Sequence, residues 1–326
     1  MATERNLKKT KAIAQWLKAN DDIAIITHIM PDGDALGSSL ALMHALKAMG
    51  KRAYVCDRDK VPDYLQLLPG WETVVMPDAL PYPPKAVIAI DCADEGRMGS
   101  AGSLMQGDVA KAVIDHHETN RTEIVPALVD GEASASGVLV LDVIKELGAG
   151  ITKDIAQCLY VAISTDTGNF SFSNTTPEAL NAVAECLKAG VDVSDMSYQL
   201  FRKKTQGRTK LLGRALNGIE YLEDGQIALI RLRRADFAEC GATDSDTEGI
   251  VNFGIDTAGA EVAILAVERV GSTKFSLRTR ERVSASQVAA TMGGGGHARA
   301  AGVTLQLPLN EAVEQVLAAF IKAVNE

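Results

Sequence analysis

The chain has 326 residues, enough for about two domains of roughly 150 residues each. Hydrophobic residues make up 47% and charged residues 23%, an ordinary globular composition that excludes a disordered chain. The 33 basic and 42 acidic residues give a net charge of −9, which argues against a broad basic face for duplex nucleic acid.

The first 20 residues carry basic side chains but no apolar signal-peptide core, so we expect an amphipathic helix of a cytoplasmic protein. No apolar run approaches about 18 residues, so neither a membrane span nor a membrane partner is expected. The five cysteines are scattered and contain no CxxC pair, which argues against a disulfide framework or a zinc ribbon. We expect Cys92 to be a small buried residue and His44 to be structural or solvated.

Short apolar runs alternate with helical patterns over the first two-thirds of the chain. Strands are predicted at residues 22–27, 52–56, 86–90 and 109–114, and helices at 33–49, 135–147, 153–165 and 177–189. This alternation predicts an α/β fold with a doubly wound, mostly parallel sheet.

The pattern changes from about residue 192. The basic segment 201–210 favours a solvated helical connector, with a patch for an anionic ligand as the alternative. Asp224-Gly225 is typical of a two-residue hairpin turn, and a second strand pair is divided at Gly271-Ser272. We therefore expect a first domain over 1–195, a helical linker over 196–217 and a smaller α+β domain over 218–326.

The first chemical motif, HIMPDGD, lies between a predicted strand and a predicted helix and contains His28, Asp32 and Asp34. Ligands of open α/β sheets bind at the carboxyl ends of strands. Nitrogen and oxygen donors without a thiolate suit a divalent ion such as Mn²⁺. A helix N-cap would explain Asp34 alone, but it would not explain His28.

Similar residues stand at three further element ends. Asp91 and the triplet Asp115-His116-His117 each follow a predicted strand, and Asp166 ends a helical pattern. A single aspartate in such a position is more often a turn residue. The joint pattern favours a site, because four of the five histidines fall within these motifs and the glycine motif described next.

Four consecutive glycines, Gly293–Gly296, precede His297 and Arg299. Such a run is costly in backbone entropy, but it lets backbone N–H groups approach an anion closely. His297 and Arg299 would add charge to that pocket. The alternative is a flexible loop.

HxxPDGDAxGS, the Asp-His-His triplet and GGGGHxRAAG together resemble the DHH/DHHA1 phosphoesterase family, over roughly residues 10–305. The length and the two-domain layout resemble its nanoRNase and 3′-phosphoadenosine 5′-phosphate (pAp) phosphatase branch. The resemblance implies a DHH metal-binding catalytic domain, a helical linker and a DHHA1 substrate-binding domain. It also implies an active site in the cleft between the two domains.

The resemblance further implies two divalent metal ions, expected to be Mn²⁺, and a role for each matching residue. One ion would be held by His28 and Asp32, the second by Asp34, His116 and Asp166, and both by the bridging Asp91. The catalytic roles would fall to Asp91, to His117 facing the substrate phosphate, and to Asp115 behind the ligands. The matching substrate-binding residues are Arg278, Gly295, Gly296, His297 and Arg299.

The expected activity is the Mn²⁺-dependent hydrolysis of short nucleotides by a metal-activated hydroxide. The substrates would be pAp, cleaved to AMP and phosphate, and oligoribonucleotides of about two to five residues, cleaved to mononucleotides. One alternative acts on cyclic di-AMP or its linear product pApA. Another, of a different class, is a non-catalytic nucleotide sensor, which the presence of all the metal-ligand residues disfavours. We expect short RNA or nucleotide bisphosphates as partners, no duplex, and a monomer or a homodimer.

Overall fold

The computed structural model describes residues 4–325, and the side chains of residues 6–325. The first three residues of the predicted N-terminal helix lie outside this range. The chain divides into two compact units, of which the first ends at Lys203 and the second begins at Lys204. Among the described residues, no helix combines the length and apolar character that a membrane span requires.

The first unit is built on a five-stranded parallel sheet. Its strands are β1 (Ile23–Ile26), β2 (Ala53–Cys56), β3 (Ala86–Ile90), β4 (Ala110–Asp115) and β5 (Ala127–Val129), in the order β2-β1-β3-β4-β5. Its helices are α1 (Glu4–Ala19), α2 (Gly33–Ala48), α3 (Ser136–Leu147), α4 (Lys153–Asp166), α5 (Pro177–Lys188) and α6 (Val193–Ser197). A π-helical turn follows at Tyr198–Arg202, and 3-10 segments lie at Asp63–Leu65, Trp71–Thr73 and Glu95–Met105.

Both faces of this sheet are buried. On one face, residues such as Ile25 and Ile88 belong to one hydrophobic core with buried residues of α1 to α5. On the other face, Val87 packs against Met98 of the 3-10 segment 95–105. Strands buried on both faces consist of continuous apolar residues, which is why β1, β2, β3 and the Ala112–Ile114 part of β4 were detectable in the sequence. The predicted doubly wound, mostly parallel sheet is confirmed.

The strand order reverses at β1, because the chain continues from β1 to β2 on one side and returns to β3 on the other. In open α/β sheets such a reversal leaves a crevice at the carboxyl ends of the two central strands. His28 lies just beyond β1, and Asp91 directly follows β3. The topology therefore places these two side chains at the crevice.

Close packing of α2 on α4 brings two more acidic residues to the same edge. A Cβ atom on Gly37 would lie 2.5 Å from the carbonyl oxygen of Cys158, so a larger residue would force the helices apart. Asp34 lies in the first turn of α2, and Asp166 is the last residue of α4. The close approach allowed by glycine sets the distance between these helix ends.

The second unit contains a six-stranded mixed sheet. Its strands are β6 (Glu220–Leu222), β7 (Ile227–Leu232), β8 (Val262–Arg269), β9 (Ser272–Thr279), β10 (Gly295–His297) and β11 (Ala300–Leu305), in the order β10-β11-β9-β8-β7-β6. Its helices are α7 (Gln206–Asn217), α8 (Arg234–Cys240), α9 (Ile250–Ile255), α10 (Ala285–Ala290) and α11 (Leu309–Asn325), with a 3-10 turn at Asp244–Thr247. Only β7 and β8 pair in parallel, because α8 and α9 lie in the connection between them.

Both predicted hairpins of this unit are present, and each is antiparallel. The first differs in its turn, which has four residues between β6 and β7 instead of two. Glu223, Asp224 and Gly225 all have positive φ, so the Asp-Gly pair forms only part of a longer left-handed connection. The helices α8 to α10 were missed in the sequence, because six or seven residues are too few to show a helical period.

Candidate metal centre

Six carboxylate and imidazole side chains meet at the carboxyl edge of the parallel sheet. This metal cluster comprises His28, Asp32, Asp34, Asp91, His116 and Asp166. Ligand atoms of His28, Asp32 and Asp91 lie within 4.8 Å of one another, and those of Asp34, His116 and Asp166 do so as well. The structure therefore brings together all six residues that the sequence analysis singled out as metal ligands.

Asp91 lies between the two histidines of the metal cluster. Its Oδ2 atom is 3.6 Å from Nε2 of His28, and its Oδ1 atom is 3.4 Å from Nε2 of His116. Its φ of 58° lies in the left-handed region, which is uncommon for a residue other than glycine and marks a strained position. The hydroxyl of Ser136 donates to Oδ1 at 3.0 Å and fixes the carboxylate.

Asp32 divides its two oxygens between the helix and the metal cluster. Oδ1 accepts hydrogen bonds from the backbone N–H groups of Asp34 and Ala35, at 3.0 and 3.1 Å, and so caps α2. Oδ2 lies 3.8 Å from Nε2 of His28. The helix cap considered for Asp34 is thus provided by Asp32, and Asp34 has a different environment.

Asp34 is buried beneath the second half of the metal cluster. Its Oδ2 accepts from the backbone N–H of Ser136 at 2.6 Å and lies 3.8 Å from Nε2 of His116. Its Oδ1 accepts from the Ser38 hydroxyl and from the N–H of Gly137, both at 2.9 Å. The N-terminus of α3 therefore stabilises this carboxylate. Asp166 Oδ2 completes the group at 3.7 Å from His116 Nε2.

Backbone carbonyls orient both metal-cluster histidines. His28 Nδ1 lies 2.9 Å from the carbonyl oxygen of Ile29, and His116 Nδ1 lies 3.2 Å from that of Ala133. A carbonyl only accepts, so Nδ1 carries a proton, and Nε2 is the atom that faces the carboxylates and whose lone pair would bind a metal ion once the ring is neutral. Two ligands about 2.1 Å from one ion lie about 3.0–3.5 Å apart, close to the spacings seen here. The donor set therefore fits divalent metal ions.

The buried carboxyl groups of the metal cluster repel one another when ionised, which favours the binding of cations. Burial, and then the negative charges of Asp91 and Asp166, raise the pKa of Asp34 well above its ordinary value. Burial also raises the pKa of Asp166 to about 6. Burial would raise the pKa of Asp91 too, but contact with His28 and the charge of His116 outweigh it and hold that pKa below its ordinary value.

Asp115 lies behind the metal cluster and orients His117. The fully buried Asp115 accepts at Oδ1 from the backbone N–H of His116 (2.9 Å) and from Nδ1 of His117 (2.7 Å). This hydrogen bond raises the pKa of His117, whose Nδ1 also lies 3.8 Å from Oδ1 of Asp91. Asn120 donates from Nδ2 to Oδ2 of Asp115 at 2.6 Å. The sequence analysis missed Asn120 and Ser136, since no motif or spacing marks either residue.

The glycine motif of the second unit forms a tight strand pair. β10 pairs with β11, and a Cβ atom on Gly296 would lie 2.5 Å from the carbonyl oxygen of Ala300. A Cβ on Gly294 would lie 2.4 Å from that of Gly302, whereas one on Gly295 would meet nothing within 4 Å. Strand packing thus requires glycine at positions 294 and 296. The sequence analysis missed this explanation for the glycine run. Anion binding by Gly295 and Gly296 stays a prediction.

The predicted basic substrate-binding residues lie at one end of the second sheet. His297 pairs with Ala300, which in turn pairs with Arg278 on β9. The Arg299 guanidinium donates from Nη1 to the carbonyl oxygens of Arg280 and Val283, the latter at 3.2 Å. Arg299 therefore also holds the loop after β9 in place.

Two further expectations are confirmed. Cys92 is 2% exposed, and all five cysteines are free thiols. His44 is half-buried and its Nε2 lies 2.9 Å from the carbonyl oxygen of Pro69, which is a structural contact.

Known proteins resemble this chain over nearly its whole length. The DHH family, N-terminal domain, matches residues 22–163, and the DHHA1 domain matches residues 228–326. The bifunctional oligoribonuclease and PAP phosphatase NrnA of Thermus thermophilus is 38% identical, over 97% of this chain and 94% of that protein. A probable bifunctional oligoribonuclease and PAP phosphatase NrnA of Streptococcus mutans is 28% identical, over 96% and 99%. The crystal structure of an exopolyphosphatase-related protein from Bacteroides fragilis superposes with a TM-score of 0.83 at 25% identity, over 99% and 98%.

Proposed function

The chain belongs to the DHH/DHHA1 family of phosphoesterases, in its nanoRNase and pAp phosphatase branch, and on that premise we propose its substrates, metals and site residues. The enzyme hydrolyses pAp to AMP and phosphate, and oligoribonucleotides of about two to five residues to mononucleotides. The metal cluster at the β1/β3 crevice carries the proposal. The names of the Thermus and Streptococcus relatives, which specify both activities, support the substrates.

The metal cluster would hold two divalent ions, Mn²⁺ by preference. His28, Asp32 and Asp91 would hold the first ion. Asp34, His116 and Asp166 would hold the second, to which Asp91 would also contribute. Support comes from the orientation of each Nε2 and from a donor set of nitrogen and oxygen without sulfur. When bound, such ions would activate a water molecule as the nucleophile and would neutralise charge on the phosphoryl oxygens.

The protein's own groups orient the substrate and hold protons. His117, with its raised pKa, donates an N–H to a phosphoryl oxygen, and Asp115 acts through His117 as a positioning residue. Donors fixed before the reaction stabilise developing charge without reorganising. In the second unit, Arg278, His297 and Arg299 bind a terminal phosphate or nucleotide, together with the backbone N–H groups of Gly295 and Gly296.

A substrate panel tests the proposal. Purified protein is incubated with Mn²⁺ and with pAp, pApA, cyclic di-AMP or a five-residue RNA, and the products are separated and quantified. Asp91→Asn protein serves as the inactive control. We expect pAp and the RNA to be hydrolysed. Preferential cleavage of cyclic di-AMP or pApA would overturn this substrate assignment in favour of the alternative, and binding without any cleavage would point to a sensor.

A further inference from the structure

An exposed aromatic side chain lies on the turn that follows Asp166, the cluster residue at the end of α4. Phe172 is 59% exposed, although it lies only six residues beyond Asp166. Its ring lies against Gly168, where a Cβ atom would come within 2.4 Å of the ring edge. One side of the Phe172 ring therefore packs on the turn, and most of the rest of the side chain is exposed to solvent.

The turn that presents Phe172, residues 167–174, has an unusual backbone. Gly168, Asn169 and Phe170 have φ values of 55°, 54° and 65°, three successive left-handed residues. Left-handed geometry is an outlier for a bulky side chain such as that of Phe170 and persists only where the surroundings impose it. The conformation therefore has to be held by specific contacts.

Those contacts fix the turn to the metal cluster and to the core. The N–H of Phe172 donates to the carbonyl oxygen of Thr167 at 3.0 Å, and the Asn174 side chain donates to that of Asp166 at 3.1 Å. Phe170 points inward and packs on the buried Tyr160, with ring centroids 6.3 Å apart. The turn thus uses the half-buried Phe170 as an anchor and leaves Phe172 exposed against Gly168.

We propose that Phe172 is the stacking platform for the substrate nucleobase next to the phosphate held at the metal cluster, an inference that rests on the proposed function. Nucleobases of single-stranded substrates stack on exposed aromatic side chains, whatever the base. A preordered ring loses little conformational freedom on binding. The platform gives a net acidic protein an uncharged means of selecting nucleotides over other phosphate esters.

The kinetic test compares pAp with a base-free analogue, the bisphosphate of ribose with hydrogen at C1′. Phe172→Ala should raise KM for pAp about ten- to a hundred-fold, the effect of one base–aromatic stack, and leave KM for the base-free analogue unchanged. Phe172→Trp and Phe172→Tyr should keep the wild-type KM. The matched control is Leu187→Ala, a change at a half-exposed apolar residue of the same unit. It should leave the KM values for both substrates unchanged.

A binding test does not depend on turnover. The fluorescence of 2-aminopurine riboside 5′-monophosphate, titrated with Mg²⁺-loaded protein, should be quenched by the wild type and by Phe172→Trp, but not by Phe172→Ala. Equal quenching by the Ala variant would overturn the inference. An equal rise of KM for pAp and for its base-free analogue in Phe172→Ala would also overturn the inference, while the proposed function would stand. Failure of the wild type to hydrolyse pAp would instead overturn the proposed substrate.

Discussion

Asp57 is a buried aspartate outside the metal cluster, and its replacement by asparagine should stabilise the protein. It follows β2 and is 1% exposed. Oδ1 accepts from the backbone N–H of Asp59 at 2.7 Å, but Oδ2 has no hydrogen-bond partner among the described residues. Burial raises the pKa of this carboxyl group to about 6, from an ordinary value of 3.8.

The direction of the effect follows from proton linkage. Because the folded-state pKa is the higher one, ionisation of Asp57 lowers the free energy of unfolding as pH rises above 3.8, and the full cost is reached above about 6. A shift of about two pKa units corresponds to roughly 3 kcal/mol. Asp57→Asn removes the charge and keeps an acceptor for Asp59. The substitution should therefore increase the free energy of unfolding by about 2–3 kcal/mol near pH 7.5 and by about half as much near pH 5.

Urea unfolding of EDTA-treated wild type and variant at both pH values measures this gain. Asp22→Asn is a control of opposite sign, since Lys85 (2.9 Å) and Arg52 pair with Asp22 and hold its pKa below the ordinary value. That variant should lose stability near neutral pH. Turnover by Asp57→Asn should stay close to wild type. A destabilised Asp57→Asn protein, or a tenfold loss of turnover, would refute the reasoning and indicate a cation or a proton donor at Oδ2.

Four further predictions concern the metal cluster and the second unit. Asp91→Asn should reduce turnover by about a thousandfold or more and abolish the rise of Tm on adding Mn²⁺, because the Asp91 carboxylate lies near both histidines of the metal cluster. If Mn²⁺ raised the Tm of the variant as much as that of the wild type, this role would be contradicted. EDTA should abolish activity and Mn²⁺ should restore it better than Mg²⁺. By calorimetry, Mn²⁺ affinity should fall at least about threefold from pH 7.5 to 5.5, because Asp166, with a pKa of about 6, must lose its proton to bind. Arg299→Ala should raise KM for pAp about ten- to a hundred-fold with kcat largely intact, as expected for loss of a charge-assisted contact. A loss of kcat with KM unchanged would contradict a binding role for Arg299. A Tm measurement on the variant distinguishes the loss of this contact from a loosening of the loop at Val283.

The elements that could be predicted from the sequence are those with enough residues to show a period. β3 has the predicted bounds Ala86–Ile90, because it is apolar throughout and buried on both faces. α11 likewise begins and ends where its pattern does, at Leu309 and Asn325. β5, with three residues, and β10, made of glycine and histidine, carry no such signal. Both depend on the neighbouring strand for their conformation.

That the six residues of the metal cluster lie together could be predicted, because residue type and strand ends are local properties. What holds those residues in place could not, since it depends on contacts distant in sequence. Ser136 supports Asp34 and Asp91 from more than 40 positions away, and Asn120 is placed by the carbonyl oxygen of Cys92. The anchoring of Arg299 by the loop after β9 is of the same kind. A motif marks candidate ligand residues, whereas the contacts that support them appear only in the folded structure.

The strained backbone positions extend this argument. Asp91, Asn169 and Phe170 adopt positive φ, a conformation that costs less for glycine. Asp91 directly follows β3, and the other two follow α4, which ends at Asp166 of the metal cluster. Glycine at 91 would relax the backbone but would remove the carboxylate between the two histidines, so strain and ligand cannot be separated there. The N–H of Asp91 donates to Ile114 on β4, at 3.0 Å, and the Ser136 hydroxyl holds its carboxylate. The central strand pairing that makes the first unit stable therefore also keeps Asp91 in its strained position, and the geometry of the metal cluster depends directly on the β3–β4 pairing.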